Sequence, residues 1–199
     1  MRYEQAQSIE SVQNGLEGQG YFPSEGLASA IFLAISLQRP IFLEGEPGVG
    51  KTEVAKVLSS WLDTDLIRLQ CYEGLDASHA IYEWDYSKQL LHLRTTEASG
   101  RAKQIDEKAL EDELYNQRFL VRRPLLQAID YEGETPPVLL IDELDRADDE
   151  FEAFLLELLS DYSITIPEIG AFKATAPPIV VITSNRTRDV HDALKRRCL

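Results

Sequence analysis

The sequence predicts an α/β domain of three layers, a parallel sheet held between helices. Two observations carry this expectation: stretches of helical periodicity alternate with short apolar runs, and each run stops at a polar or glycine-rich corner. A chain of 199 residues with 44% hydrophobic content can bury a substantial core, and the length suits one domain or one domain with an appendage.

Taken in order, Ser24 is placed to cap a helix running to about Gln38. Its apolar part, "LASAIFLAISL", is too short to span a bilayer and ends at Gln38, Arg39 and Pro40, as a packed helix would. A strand over 40–44, a helix over 51–62 and a strand in "LIRLQC" (66–71) follow. The region from about 72 to 137 breaks the rhythm and reads as an insertion. In it, "AIYEWDYSKQLLHLR" alternates Tyr82, Trp84 and Tyr86, then Leu91 and Leu93, around Ser87 and Lys88, which predicts a β-hairpin. "EASGRAKQIDEKALEDELYNQ" reads as a charged mobile loop running into a helix, and "RFLVRRPLLQAID" as a further helix. Val138 to Ile141 is a strand buried on both faces, "SITIPEIGAFKA" (163–174) a second hairpin, and Ile179 to Thr183 another apolar strand. There is no internal repeat and no low-complexity tract.

Three corners carry chemistry. Gly45, Gly50, Lys51 and Thr52 fit G-x-x-x-x-G-K-[ST], with Glu46, Pro47, Gly48 and Val49 between them. Such a loop wraps a phosphate because residues without bulk let successive backbone N–H groups point inward, while the following helix adds its N-terminal partial charge. Lys51 would reach the β- and γ-phosphates of ATP, and the Thr52 hydroxyl would hold Mg²⁺. At the second corner, Asp142 and Glu143 end the buried strand. There Asp142 would hold the Mg²⁺ through water and Glu143 would polarise the attacking water, although acids after a strand also commonly cap the next helix. At the third, Asn185 could hold that water if its strand lies between the P-loop strand and the Asp142 strand; an asparagine in a turn is the plainer reading.

Composition narrows the partners. A net charge of −14 disfavours a general nucleic-acid or anionic-membrane surface, since both partners need a basic face. Cys71 and Cys198 have no metal-ligand spacing and His79, His92 and His191 are scattered, so a reducing, cytoplasmic setting without a structural metal site is expected. "MRYEQAQSIE" has no apolar signal core.

These stretches resemble the AAA+ ATPases, specifically their MoxR branch. "RPIFLEGEPGVGKTEVAKVLS" is similar to that branch's Walker A region, "VLLIDELDRADDEFEAFLLELLSD" to its Walker B strand and helix, and "ITSNRTRDVHDALKRRCL" to its sensor 1 strand and arginine-finger helix. The resemblance implies Asn185 as sensor 1, Glu143 as the catalytic acid, and Arg197 or its neighbour Arg196 as the finger reaching into another subunit's ATP. Cys198 stands where many members have phenylalanine, which leaves the choice between the two arginines open; a basic helix end favoured by the macrodipole is the alternative for "LKRR". Tyr21 falls where the family contacts adenine, and the two expected hairpins resemble the branch's insertions. "LQCYEGLDASHAIYEWDYSKQLLHLR" and "HDALKRRC" are most similar to members associated with von Willebrand factor A domain proteins, such as the carbon monoxide dehydrogenase maturation ATPase. That implies a hexameric ring when full length, a von Willebrand factor A domain partner and a metalloenzyme client. Against the family pattern, residues 1–199 would be a nucleotide-binding core without the fifth strand and helical lid, with an open edge beside the P-loop strand. Two other readings share parts of the pattern: a P-loop small-molecule kinase, and a DNA-directed AAA+ motor, which the acidic balance weakens.

Overall fold

The computed structural model describes residues 3, 5–99 and 106–199. Four parallel strands form its central sheet: β1 (Ile41–Glu44), β2 (Leu66–Gln70), β5 (Val138–Asp142) and β8 (Ile179–Ser184). Their spatial order is β1-β8-β5-β2, so the strand that leads into Asn185 does lie between the P-loop strand and the Asp142 strand. All of β5 is buried, which is why it reads as an unbroken apolar run rather than an alternating one.

The alternation of the sheet splits the core in two. Val138, Leu140 and Val181 face one side, where they meet Val12 and Leu16 of α1 (Ile9–Gly18), Ile31 of α2 (Glu25–Leu37) and Val54 and Leu58 of α3 (Lys51–Leu62). Leu139, Ile141, Val180 and Ile182 face the other, against α7 (Pro124–Ile129) and α8 (Asp149–Asp161). This is the three-layer arrangement the alternating pattern predicts, and each fully buried Leu or Ile in it contributes about 1.5–3 kcal/mol. Ser24 caps α2 by accepting the Leu27 N–H at 3.2 Å, and Gln38 ends it in the left-handed conformation at φ 53°.

The insertion is built differently from the expectation. No hairpin forms within 80–93. After α4 (Ala77–Ile81), β3 (Tyr82–Trp84) ends at Asp85, whose Oδ1 accepts the Lys88 N–H at 3.0 Å and opens α5 (Tyr86–Ala98). The aromatic alternation therefore lasts three residues before a capping aspartate converts the chain to helix. The partner of β3 is β4 (Leu120–Arg122), with Tyr82 opposite Arg122 and Trp84 opposite Leu120. That strand interrupts the helix expected over "RFLVRRPLLQAID": Arg123 stays extended before Pro124, and Pro124 starts the short α7. Trp84 is buried edge-on against Tyr82 and Tyr115, centroids 5.9 and 5.1 Å away. The helix expected after the charged loop is α6 (Glu107–Leu114), while the loop at 100–105 falls outside the described residues. The second hairpin forms as expected, from β6 (Ser163–Ile166) and β7 (Gly170–Lys173).

The edge beside β1 is covered at its start. The Leu199 N–H donates to Pro40 O and its carbonyl accepts the Phe42 N–H, both at 2.9 Å, a parallel bridge to β1. Among the described residues no helix is long and apolar enough to cross a membrane.

Candidate active site

The P-loop, the end of β5 and the end of β8 converge on one cavity of about 270 Å³, lined by Pro47, Gly48, Gly50, Lys51, Thr52, Glu53, Asp142, Glu143 and Asn185. Gly48 and Gly50 adopt φ of 85° and 91°, a backbone region that side chains resist, so the loop shape itself needs glycine there. Lys51 folds back on the loop, donating from Nζ to the carbonyls of Gly45 and Glu46 at 2.7 Å each. Val49 is exposed at the loop tip. Tyr21 lies against the loop: a Cβ added to Gly50 would meet its ring at 4.0 Å, and burial followed by the charge of Glu53 raises its hydroxyl above the usual value.

Asp142 is buried and fully engaged. Its Oδ1 accepts the Thr52 hydroxyl at 3.0 Å and the Thr183 hydroxyl at 2.6 Å; its Oδ2 accepts Arg68 Nε at 3.1 Å and Nη2 at 2.6 Å. Glu143 follows in the left-handed conformation, φ 56° and ψ 50°, strained for a residue with a Cβ. Thr183 Oγ1 holds it there by accepting its N–H at 2.9 Å. The Glu143 carboxylate accepts from Asn185 Nδ2 on one oxygen and from Gln70 Nε2 on the other, each at 3.1 Å, and the second oxygen forms an ion pair with Arg146 Nε at 3.0 Å. Neither acid's side chain caps a helix: Glu143 stands at the N-cap position of the 3-10 turn Leu144–Arg146 without a side-chain cap bond, and Asp148 caps α8, accepting the Phe151 N–H at 2.9 Å.

A third acid, Asp145, ties the two strand ends together. It accepts the backbone N–H of Asn185 at 3.1 Å, and the N–H and hydroxyl of Thr187 at 2.9 and 2.6 Å. Burial opposes its ionisation, yet these hydrogen bonds outweigh burial and hold its carboxyl below the usual range. Cys71, behind the acids, is pushed up to about 12 by burial and then by the charges of Asp142, Asp145, Glu143 and Glu152, so it stays a thiol.

Sequence reading missed Arg68, Gln70, Thr183 and Asp145. The available signal was polarity at period two near the carboxyl ends of apolar strands, Arg68 and Gln70 in "LIRLQC" and Thr183 in "IVVITS"; on the central sheet Gln70 is the register partner of Asp142. Arg196 and Arg197 do not line the cavity. Both are exposed after α9 (Asp192–Lys195), with Arg197 Nη1 donating to Leu156 O at 3.0 Å and the Arg39 guanidinium holding the two arginines' carbonyls at 2.7 and 2.9 Å.

The model of the AAA domain of the dynein-related subfamily matches residues 40–198. The chain belongs to that family of AAA ATPases. Membership is consistent with the MoxR-branch resemblance of the three corners. A crystal structure from Cytophaga hutchinsonii ATCC 33406, described as "a putative ATPase", superposes on 98% of the chain with a TM-score of 0.61 and 18% identity, and so shares the fold. The chain spans about half of that protein, covering 50% of its length. No curated protein matches the chain by sequence.

The donor set suits the metal this AAA fold implies. Thr52 Oγ1 and Asp142 Oδ1 are two oxygen donors 3.0 Å apart beside the P-loop. Among the described residues no group of three His, Cys, Asp or Glu makes a preformed cage. Few protein oxygens, completed by phosphate and water, is how Mg²⁺ is usually held.

Proposed function

We propose that the protein hydrolyses ATP with Mg²⁺ as a MoxR-type AAA+ ATPase that remodels a partner protein or assists metal-cofactor insertion. The observation that carries this reading is the hydrogen-bonded row of Thr52, Asp142, Thr183, Glu143 and Asn185 at the mouth of the P-loop. Backbone N–H groups at Gly48 and Gly50 cradle the phosphates, and Lys51 exchanges its loop carbonyls for phosphate oxygens. Thr52 and, through water, Asp142 would hold Mg²⁺, which would supply neutralisation of phosphate charge. Glu143 takes the proton of the attacking water, which requires it to give up part of its contact with Gln70 and Arg146, while Asn185 keeps the carboxylate aimed. Tyr21 borders the base.

Lys51→Ala should lose ATP binding, while Glu143→Gln should bind ATP and barely turn it over. Wild-type turnover by Glu143→Gln would overturn the role of that residue. On this reading the assembly is a homo-hexameric ring in which Arg197, or Arg196, reaches a neighbour's ATP; their exposure away from their own cavity supports it. The proposed partners are a von Willebrand factor A domain protein and a metalloenzyme client, in the cytoplasm, without nucleic acid.

A further inference from the structure

We propose that Arg68 gates the metal site: its guanidinium pairs with Oδ2 of Asp142, across the carboxylate from the Oδ1 shared with Thr52, and its charge opposes a divalent cation there, so the gain in ATP affinity from Mg²⁺ is held down. This rests on the reading that Asp142 serves Mg²⁺.

Four observations carry it. Asp142 has no spare oxygen, because Thr52 and Thr183 take Oδ1 and two guanidinium nitrogens take Oδ2. The Arg68 side chain is 51% exposed whereas that of Asp142 is 4% exposed, so the arginine can swing into solvent and the carboxylate cannot move to avoid it. The pair is not needed to join the strands, since β2 and β5 are already in register from Leu66–Val138 to Gln70–Asp142. Finally, Arg68 Nη2 also donates to Gln70 Oε1 at 2.5 Å, and Gln70 Nε2 donates to Glu143. One cation on β2 therefore bears on both acids, directly on Asp142 and through Gln70 on Glu143.

A guanidinium and a divalent cation on one carboxylate repel each other. A divalent cation at Thr52 and Oδ1 weakens the hold of Arg68 on Oδ2, and a swing of the half-exposed guanidinium into solvent would also free Gln70 Oε1. Arg68 is thus a positioning residue whose effect appears in the difference between metal-loaded and metal-free binding.

The test is the ratio of ATP affinities with Mg²⁺ and with EDTA, measured by calorimetry on the protein and its variants. Removing the competing cation in Arg68→Gln should raise this ratio roughly fivefold, the scale of a half-exposed ion pair. Arg68→Lys, which keeps the charge without the fork, should fall between. Mn²⁺ titration followed by electron paramagnetic resonance in the presence of ADP should show the half-saturating Mn²⁺ concentration falling by a similar factor. In an Asp142→Asn background, Arg68→Gln should no longer change the ratio. A ratio unchanged or lowered in folded Arg68→Gln, or a rise that persists with Asp142→Asn, would overturn the gate. Failure of the parent reading looks different: the ratio of the wild type would then be unchanged by Asp142→Asn alone, and the gate would fall with it.

Discussion

Replacing Thr183 by valine should cost the fold about 3 kcal/mol and misplace Glu143. The substitution keeps the shape of a side chain that is 1% exposed and removes its hydroxyl. That hydroxyl makes two bonds: it donates to Asp142 Oδ1 at 2.6 Å and accepts the Glu143 N–H at 2.9 Å. A hydrogen bond to a charged group contributes about 1.5–3 kcal/mol, and a buried N–H left without an acceptor costs about 1–3 kcal/mol. Thr52 and Arg68 still serve Asp142, so the lower half of the combined range applies. For a chain of this size each kcal/mol lowers Tm by roughly 2–4 °C, which predicts a fall of about 6–12 °C for Thr183→Val. Thr183→Ser, which keeps the hydroxyl and loses one buried methyl, should cost only about 1 kcal/mol. Urea unfolding and thermal melts of both variants at neutral pH measure this. If Thr183→Val melts within a degree of the wild type, or if Thr183→Ser is equally destabilised, the hydroxyl does not hold the two acids. Turnover should follow the same order, because the left-handed backbone of Glu143 loses its tether in Thr183→Val and retains it in Thr183→Ser.

The Asp145 carboxyl is held below its usual range in the fold, so its stabilisation is complete above the unfolded value near pH 4 and is lost as pH falls through the lower folded value. Asp145→Asn should therefore cost about 1–3 kcal/mol at pH 7 and show a shallower loss of stability between about pH 5 and 2; parallel acid limbs in variant and wild type would refute the coupling. Cys71, at about 12, and Cys198, at about 11, should both resist alkylation at pH 8 in the native protein and react only as it unfolds. Rapid labelling of folded Cys71, read by mass spectrometry, would contradict its burial.

Local patterns and tertiary geometry contributed different parts of this site. The P-loop, the helix it opens and the buried strand ending in Asp142 and Glu143 were legible because each is written in adjacent residues: glycines where φ is positive, a lysine and threonine at the helix start, an apolar run with acids at its end. Asn185 was legible only conditionally, on a strand order that places β8 between β1 and β5. The hairpin expected over 80–93 failed because Tyr82–Trp84 is satisfied equally well by a nearby or a distant strand, and the capping side chain of Asp85 favoured helix for the residues after it. Arg68, Gln70 and Thr183 carried only a faint period-two polar signal, for a related reason. Each is an ordinary polar residue in its own segment, and each acquires a role only when parallel pairing sets three strand ends side by side. Sequence alone thus determined the α/β class, the phosphate loop and the two acids, since these follow from backbone conformation and periodicity over a few residues. Only the tertiary structure decided which groups surround the acids, because contacts between strands that are far apart in the chain depend on strand order and register, and no local propensity encodes either.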